Sequence, residues 1–235
     1  VPGFLPAFML IAKGKLAVGN DIDAAAAITK VLNIDPRNEE GYILEAMIKN
    51  KRKEFDSALI SLQEAISHNF KIRENPLFAL IKGEIEFEMK DFVSAEMTME
   101  GAISLPSIKN KQAVGEAKEY KVLSFTEKDR CAIFLLLAKC YAKSKRFKES
   151  KSIMEQAIRD FVGTSEEVNV LLTNALISIE AGDIKKAISI LKAAESTSPY
   201  FVESRKMLAD IHLIPLKSRK NNARCYYEVI ETDPT

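Results

Sequence analysis

The chain has 235 residues, 47% of them hydrophobic, which suits one stretch of repeats or one or two ordinary domains. Lysine and arginine number 34 against 33 aspartates and glutamates, so the formal net charge is +1. This near-balance argues against a nucleic-acid binder, which would show a basic excess or stripe, and against a polybasic membrane anchor.

A three-residue pattern recurs six times along the chain: a compact residue, an apolar residue four positions later, and a compact residue three after that. The first compact residues are Ala24, Ala58, Ala95, Ser150, Ala187 and, more loosely, Asn222. Another small residue lies twelve positions upstream of each, or thirteen in the last copy: Ala12, Ala46, Gly83, Ala138, Ala175 and Ala209. Spacings of three and four keep side chains on one helical face. The pattern therefore predicts pairs of helices that meet at small side chains.

The period of the pattern predicts the fold class. Successive copies are 34, 37, 55, 37 and 35 residues apart, and a period near 34 with two helices per unit is typical of the tetratricopeptide repeat. We therefore predict an all-α solenoid, a right-handed superhelix of about six helix-turn-helix units. The predicted units are 1–36, 37–70, 71–106, 129–162, 163–199 and 200–235.

The 55-residue step contains about twenty extra residues, which we assign to an insertion over 107–128. The segment is rich in lysine and glutamate, and we expect a loop or a short extra helix. Two interpretations stay open: a tolerated surface insertion, since long loops cost little stability, or a partner-binding loop.

The first predicted helix is apolar nearly all round, whereas a terminal repeat normally has a polar outer face. The chain starts at Val1 rather than methionine and stops at Thr235, where a repeat would end. These observations predict an internal piece of a longer repeat protein.

The sequence offers little to an enzyme. The three cysteines form no CxxC pair and are expected to be free thiols: Cys131, Cys140 and Cys225. His68 and His212 have no partner at metal-ligand spacing. The longest apolar run, 132–138, is far too short to span a bilayer. We expect no catalytic residue, no cofactor, no metal and no direct membrane insertion.

The first helices of successive units should line the concave side of such a superhelix. The residues predicted to point there are mostly apolar: Met9, Ile43, Met47, Leu80, Phe87, Leu135, Lys139, Leu172 and Leu176. This stripe would accept an apolar helix or an extended segment of a partner. The alternative is that the same stripe packs inside a tightly wound superhelix.

Several stretches depart from a generic repeat and point to a particular family. They are 1–3 with 8–13, 69–77, 104–106, 161–168, and 199–201 leading to 206–211. Together and in this order they resemble the central part of the tetratricopeptide repeat protein 21 family. That family is the large repeat subunit of intraflagellar transport complex A, also called the intraflagellar transport 139 homologue. The stretches 107–128 and 214–222 match it less well.

The resemblance implies a non-catalytic scaffold that supports retrograde ciliary transport and cilium assembly. It implies that the partners are the other complex A subunits and, through the assembled train, the dynein motor and ciliary cargo. The expected location is the cilium or flagellum, at its axoneme and base, and the cytoplasm. The alternatives are an adaptor or co-chaperone that binds peptide segments, which the lack of a basic clamp disfavours, and a repeat region that serves an enzyme elsewhere in a longer chain.

Overall fold

The computed structural model describes residues 4–109 and 123–232, and these form α-helices, one short 3₁₀ helix and no strand. In chain order the helices are α1 (Leu5–Ala17), α2 (Asp21–Ile34), α3 (Glu39–Lys51), α4 (Phe55–His68), the 3₁₀ helix (Phe70–Glu74), α5 (Pro76–Glu88), α6 (Phe92–Ser104), α7 (Pro106–Lys109), α8 (Glu127–Lys143), α9 (Phe147–Phe161), α10 (Glu167–Glu180), α11 (Ile184–Lys192), α12 (Phe201–Leu213) and α13 (Arg219–Thr232). The prediction of an all-α fold is confirmed. Most of the insertion predicted at 107–128 falls on residues 110–122, which lie outside the described residues.

The chain divides into two compact units, residues 1–140 and 141–235. Within the first unit, α1 packs on α2, α3 on α4, and α5 on α6. Within the second, α9, α10, α11 and α12 each pack on the next helix along the chain. Sequential helices joined by short turns are thus the packing unit, as expected for helical repeats.

Small side chains mark where paired helices meet. Ala12, Ala24 and Ala58 are all fully buried. At Gly83 on α5 the approach is too close for a larger residue, because a Cβ added there would lie 2.5 Å from Met99 Cε on α6. In the second unit the same positions, Ala175, Ala187, Leu191 and Ala209, share one core cluster with Leu208, Ile211 and Cys225.

Six turns between consecutive helices each contain one left-handed residue, five positions before the first compact residue of the following helix. These residues are Gly19, Lys53, Lys90, Lys145, Gly182 and Lys217, with φ between 50° and 80°. The next N–H donates back to a carbonyl of the first helix, as from Asp91 to the Glu86 carbonyl oxygen at 2.9 Å, which caps the helix end. Asp91 then begins α6, where its carboxylate accepts from the Ser94 N–H at 3.1 Å.

Lys53→Gly is expected to raise the free energy of unfolding by about 0.5 kcal/mol, because glycine removes the cost of a left-handed side chain, partly offset by its greater freedom in the unfolded chain. Lys53 has a φ of 62°. The matched control is Glu64→Gly at an exposed position inside α4, where glycine should lower stability by about 1 kcal/mol. Urea unfolding measures both, and changes of the same sign would contradict the assignment of strain to the turn.

Candidate protein-interaction surface

The structure distributes the nine predicted groove residues over three levels of exposure. Met9, Ile43, Leu80 and Leu135 are buried. Met47, Phe87, Lys139 and Leu172 are half-buried. Leu176 alone of the nine is exposed, at 49%. Partner binding by these residues stays a prediction, but as the chain folds here four of them are core residues.

The half-buried members have neighbours within the chain that account for their position. The Phe87 ring meets the Phe92 ring edge-on with their centroids 5.2 Å apart, across the α5–α6 turn. Leu172 packs against the core cluster of the second unit. The apolar face of the first helices therefore serves mainly the packing of the repeats.

Lys139 lies in an acidic environment in the first unit. The pKa of the Glu84 carboxyl is raised to about 7, chiefly by burial and also by the negative charges of Asp129 and Glu88, whereas Lys139 opposes the shift. Glu84 is on α5, whereas Asp129 and Lys139 are on α8. This predicted groove position thus lies near a carboxyl whose pKa is raised to about 7.

Two repeats carry the same three-membered polar contact with its charges exchanged. On α3 and α4, Ser61 donates to Glu45 at 2.7 Å and accepts from Lys49 at 2.8 Å. On α5 and α6, Thr98 donates to Glu86 at 2.7 Å and accepts from Lys82 at 3.3 Å. Glutamate lies one position before Ala46 and lysine three positions after it, whereas lysine lies one position before Gly83 and glutamate three positions after it. These contacts satisfy charges that lie beside the helix interface, so they are structural.

An apolar cleft of about 590 Å³ lies beside the second of these contacts, among α4, α5 and α6. Its lining contains no carboxylate and is formed by Gln63, Ile66, Arg73, Phe78, Ala79, Lys82, Met97, Thr98, Gly101, Ala102 and Leu105. Lys82 is already paired with Glu86 at 3.1 Å. Arg73 stacks on the Phe70 ring, with its guanidinium carbon 4.5 Å from the ring centroid. The cleft thus combines an apolar floor with a cation at its edge.

Exposed apolar side chains extend this cleft over the outer face of α6. Met97 and Val93, one helical turn apart, are 69% and 68% exposed. Phe70, beside Arg73, is 68% exposed. Single exposed apolar residues need no explanation, but a group next to an apolar cleft marks a candidate interaction surface. The cleft and these three residues together are called the α6 surface below.

Sequence analysis missed the α6 surface because it assigned binding to the first helix of each pair. The available signal was Val93 and Met97, which are apolar yet lie two positions before and after the buried Ala95. A residue two positions away lies far around the helix from the packed face. Apolar residues there are not used by the pairing of α5 with α6.

The described residues offer no metal site. No group of three or more His, Cys, Asp or Glu residues among them could hold a metal ion. In the same residues no helix has the length and apolar character needed to cross a membrane. Cys131, Cys140 and Cys225 are buried and form no disulfide. Burial, reinforced by the charges of Glu96 and Glu86, raises the pKa of the Cys140 thiol to about 12, so it stays protonated at neutral pH.

Residues 70–229 match the family described as "Tetratricopeptide repeat protein 21 ARM repeat". The chain is 34% identical over 235 residues to human tetratricopeptide repeat protein 21B, covering 98% of this chain and 18% of that protein. It is 25% identical to the tetratricopeptide repeat protein 21 homolog of Caenorhabditis elegans, covering 100% of this chain and 17% of that protein. The chain therefore spans less than a fifth of the length of these relatives.

Among solved structures, the chain is similar to PilW, described as a widely conserved type IV pilus biogenesis factor. The TM-score is 0.70 with 13% sequence identity, over 100% of this chain and 96% of PilW. At this identity the likeness concerns the fold alone. It supports the tetratricopeptide-repeat architecture predicted from the period of the sequence.

Proposed function

The chain belongs to the tetratricopeptide repeat protein 21 family, and from this we propose that it is a non-catalytic scaffold segment of intraflagellar transport complex A. In this proposal it supports retrograde transport and cilium assembly, and it resides in the cilium or flagellum and in the cytoplasm. Its partners are the other complex A subunits. The dynein motor and ciliary cargo are reached only through the assembled train.

Family membership carries this proposal, and the repeat fold is compatible with it. Helical repeats expose extended surfaces that suit lasting contacts with other proteins. The α6 surface provides one such contact within this chain. Its apolar floor and the cation of Arg73 suit a partner segment that carries apolar side chains and a carboxylate.

Burying an exposed apolar side chain the size of methionine or valine stabilises a complex by about 1.5–3 kcal/mol. Val93→Asp with Met97→Asp should therefore weaken docking on the α6 surface by at least about a hundredfold, since two such contacts are lost and charge is added. Val18→Asp with Ile22→Asp is the matched control, because both residues are 77% exposed in the first unit and lie outside the cleft.

The measurement is co-purification of the tagged native protein from ciliated cells, with circular dichroism to verify unchanged helix content. The wild type and the control should recover complex A subunits in stoichiometric amounts, and the α6 variant should recover less of at least one subunit. A wild-type protein that recovers only substoichiometric chaperone would replace this proposal with the adaptor function. Full recovery by the α6 variant would instead show that the contact lies on another surface, and the proposed scaffold function would still hold.

A further inference from the structure

A second cleft, in the second unit, has a different chemistry from the α6 surface. It has a volume of about 350 Å³ and lies among α11, α12 and α13. Its lining is mainly polar and basic: Lys192, Arg205, Leu208, His212, Asn221, Arg224, Cys225 and Glu228. Three cations therefore face one carboxylate.

The one carboxylate is neutralised within the cleft. Arg205, whose side chain is only 12% exposed, contacts Glu228 Oε2 through Nε at 2.8 Å. The other two guanidinium nitrogens of Arg205 donate to the carbonyl oxygens of Leu191 and Ala194, at 3.1 and 3.3 Å. Arg205 thus also covers the carbonyls at the end of α11, which would otherwise repel an anion. It is a positioning residue, because three of its five N–H groups, including one on each nitrogen, are engaged within the chain.

Donors without a partner remain around this neutral pair. Arg224 uses Nε for Glu228 Oε1 at 3.1 Å, but its side chain is 78% exposed and its two terminal nitrogens face no other acceptor among the described residues. Lys192 and Asn221 are exposed. In residues 123–232 neither makes a side-chain hydrogen bond or an ion pair.

His212 adds a buried polar atom that has no partner. The residue is only 9% exposed, and its Nδ1 has no hydrogen-bond partner among the described residues. A buried unsatisfied nitrogen is costly, and native structures usually pair such an atom. Burial and the positive charge of Lys192 lower the pKa of His212, which favours the neutral ring when the cleft is empty.

We propose that this cleft binds a phosphoryl group through Lys192, Arg224, Asn221 and His212. The charges of Arg205 and Glu228 cancel, so Lys192 and Arg224 leave the cleft with two positive charges. These match the charge of a phosphate monoester near neutral pH, which is roughly −1.5 to −2. A carboxylate would neutralise only one of them. The volume exceeds what a phosphoryl group fills, leaving room for the atoms that carry it. Two kinds of ligand present such a phosphoryl group: a phosphorylated side chain of a protein and free phosphate.

The test uses the whole 235-residue chain and the two histidine side chains as reporters in long-range ¹H–¹⁵N spectra. Inorganic phosphate and N-acetyl-O-phosphoserine amide are titrated separately, against chloride at equal ionic strength. Binding should shift the His212 resonances and raise its pKa, because a neighbouring anion favours the imidazolium form. His68, which stacks on Tyr42 with the ring centroids 5.6 Å apart in the first unit, is the internal reference and should not respond.

Lys192→Gln and Arg224→Gln should each weaken binding by about tenfold. Lys185→Gln, at an exposed position of α11 outside the cleft, is the matched control and should bind like the wild type. Tighter binding of the phosphoserine derivative than of phosphate identifies a phosphorylated side chain as the source, and the reverse identifies free phosphate. Equal responses of His212 and His68, or undiminished binding by both cleft variants, would overturn the proposal.

Discussion

Leu62→Ala should lower the free energy of unfolding by about 2–5 kcal/mol, whereas Ile60→Ala on the same helix should change it by less than about 0.5 kcal/mol. Leu62 is 2% exposed and Ile60 is 62% exposed. Both changes truncate a large aliphatic residue to alanine two positions apart on α4. The difference between them therefore isolates burial against the paired helix.

Urea unfolding followed by circular dichroism measures this difference. Leu62 is the apolar member of the second copy of the repeated pattern, and Leu191 is its counterpart in the fifth. Leu191 is 1% exposed within the core cluster of the second unit, so Leu191→Ala should match Leu62→Ala in size. Similar unfolding energies for Leu62→Ala and Ile60→Ala would show that the pattern does not identify the packed face.

The repeated pattern predicted the helix pairs because close packing constrains residue size. Ala58 and Ala95 have no exposed surface, and a larger side chain at either position would separate the paired helices. Such positions can therefore be recognised in the sequence as recurring compact residues. The left-handed turn residues are harder to recognise, since lysine at Lys53, Lys90, Lys145 and Lys217 does not distinguish a strained turn from an ordinary exposed residue.

The candidate surfaces were harder to predict than the packing. An apolar stripe on the first helices fits a partner groove and a repeat interior equally well, and only the three-dimensional arrangement shows that Ile43 and Leu80 are buried. The cleft at His212 joins residues from three helices with no common spacing. Periodicity reports which residues share one helix face, but it does not report which side chains converge from different helices.

The family prediction did not depend on those surfaces. The resemblance to the tetratricopeptide repeat protein 21 family, inferred from five stretches in order, is confirmed by the match over residues 70–229. Those stretches include residues with evident structural roles, such as Asn75, whose side chain accepts from the Leu77 N–H at 2.9 Å where α5 begins. The family is thus recognisable from ordered sequence stretches, while its partners are not.

Glu84→Gln should stabilise the chain in a pH-dependent way. The folded-state pKa of Glu84 is about 7, against an ordinary value of 4.5, chiefly because of burial. A carboxyl whose pKa is raised on folding contributes stability that is fully present below the unfolded-state pKa and is lost as pH rises through the folded-state pKa. The window runs from about pH 4.5 to pH 7. Above it, folding holds a buried negative charge near Asp129 and Glu88.

Glutamine mimics the neutral carboxyl, so the variant and the wild type should be equally stable near the lower end of that window. By pH 8 the variant should be more stable by about 2 kcal/mol, because one pKa unit corresponds to about 1.4 kcal/mol and solvent screens part of the shift. Glu64→Gln, at an exposed position of α4, is the control and should show no growing gap. Urea unfolding at a series of pH values measures the difference. A gap that is constant with pH, or that shrinks as pH rises, would place the Glu84 carboxyl in solvent rather than near Asp129 and Glu88.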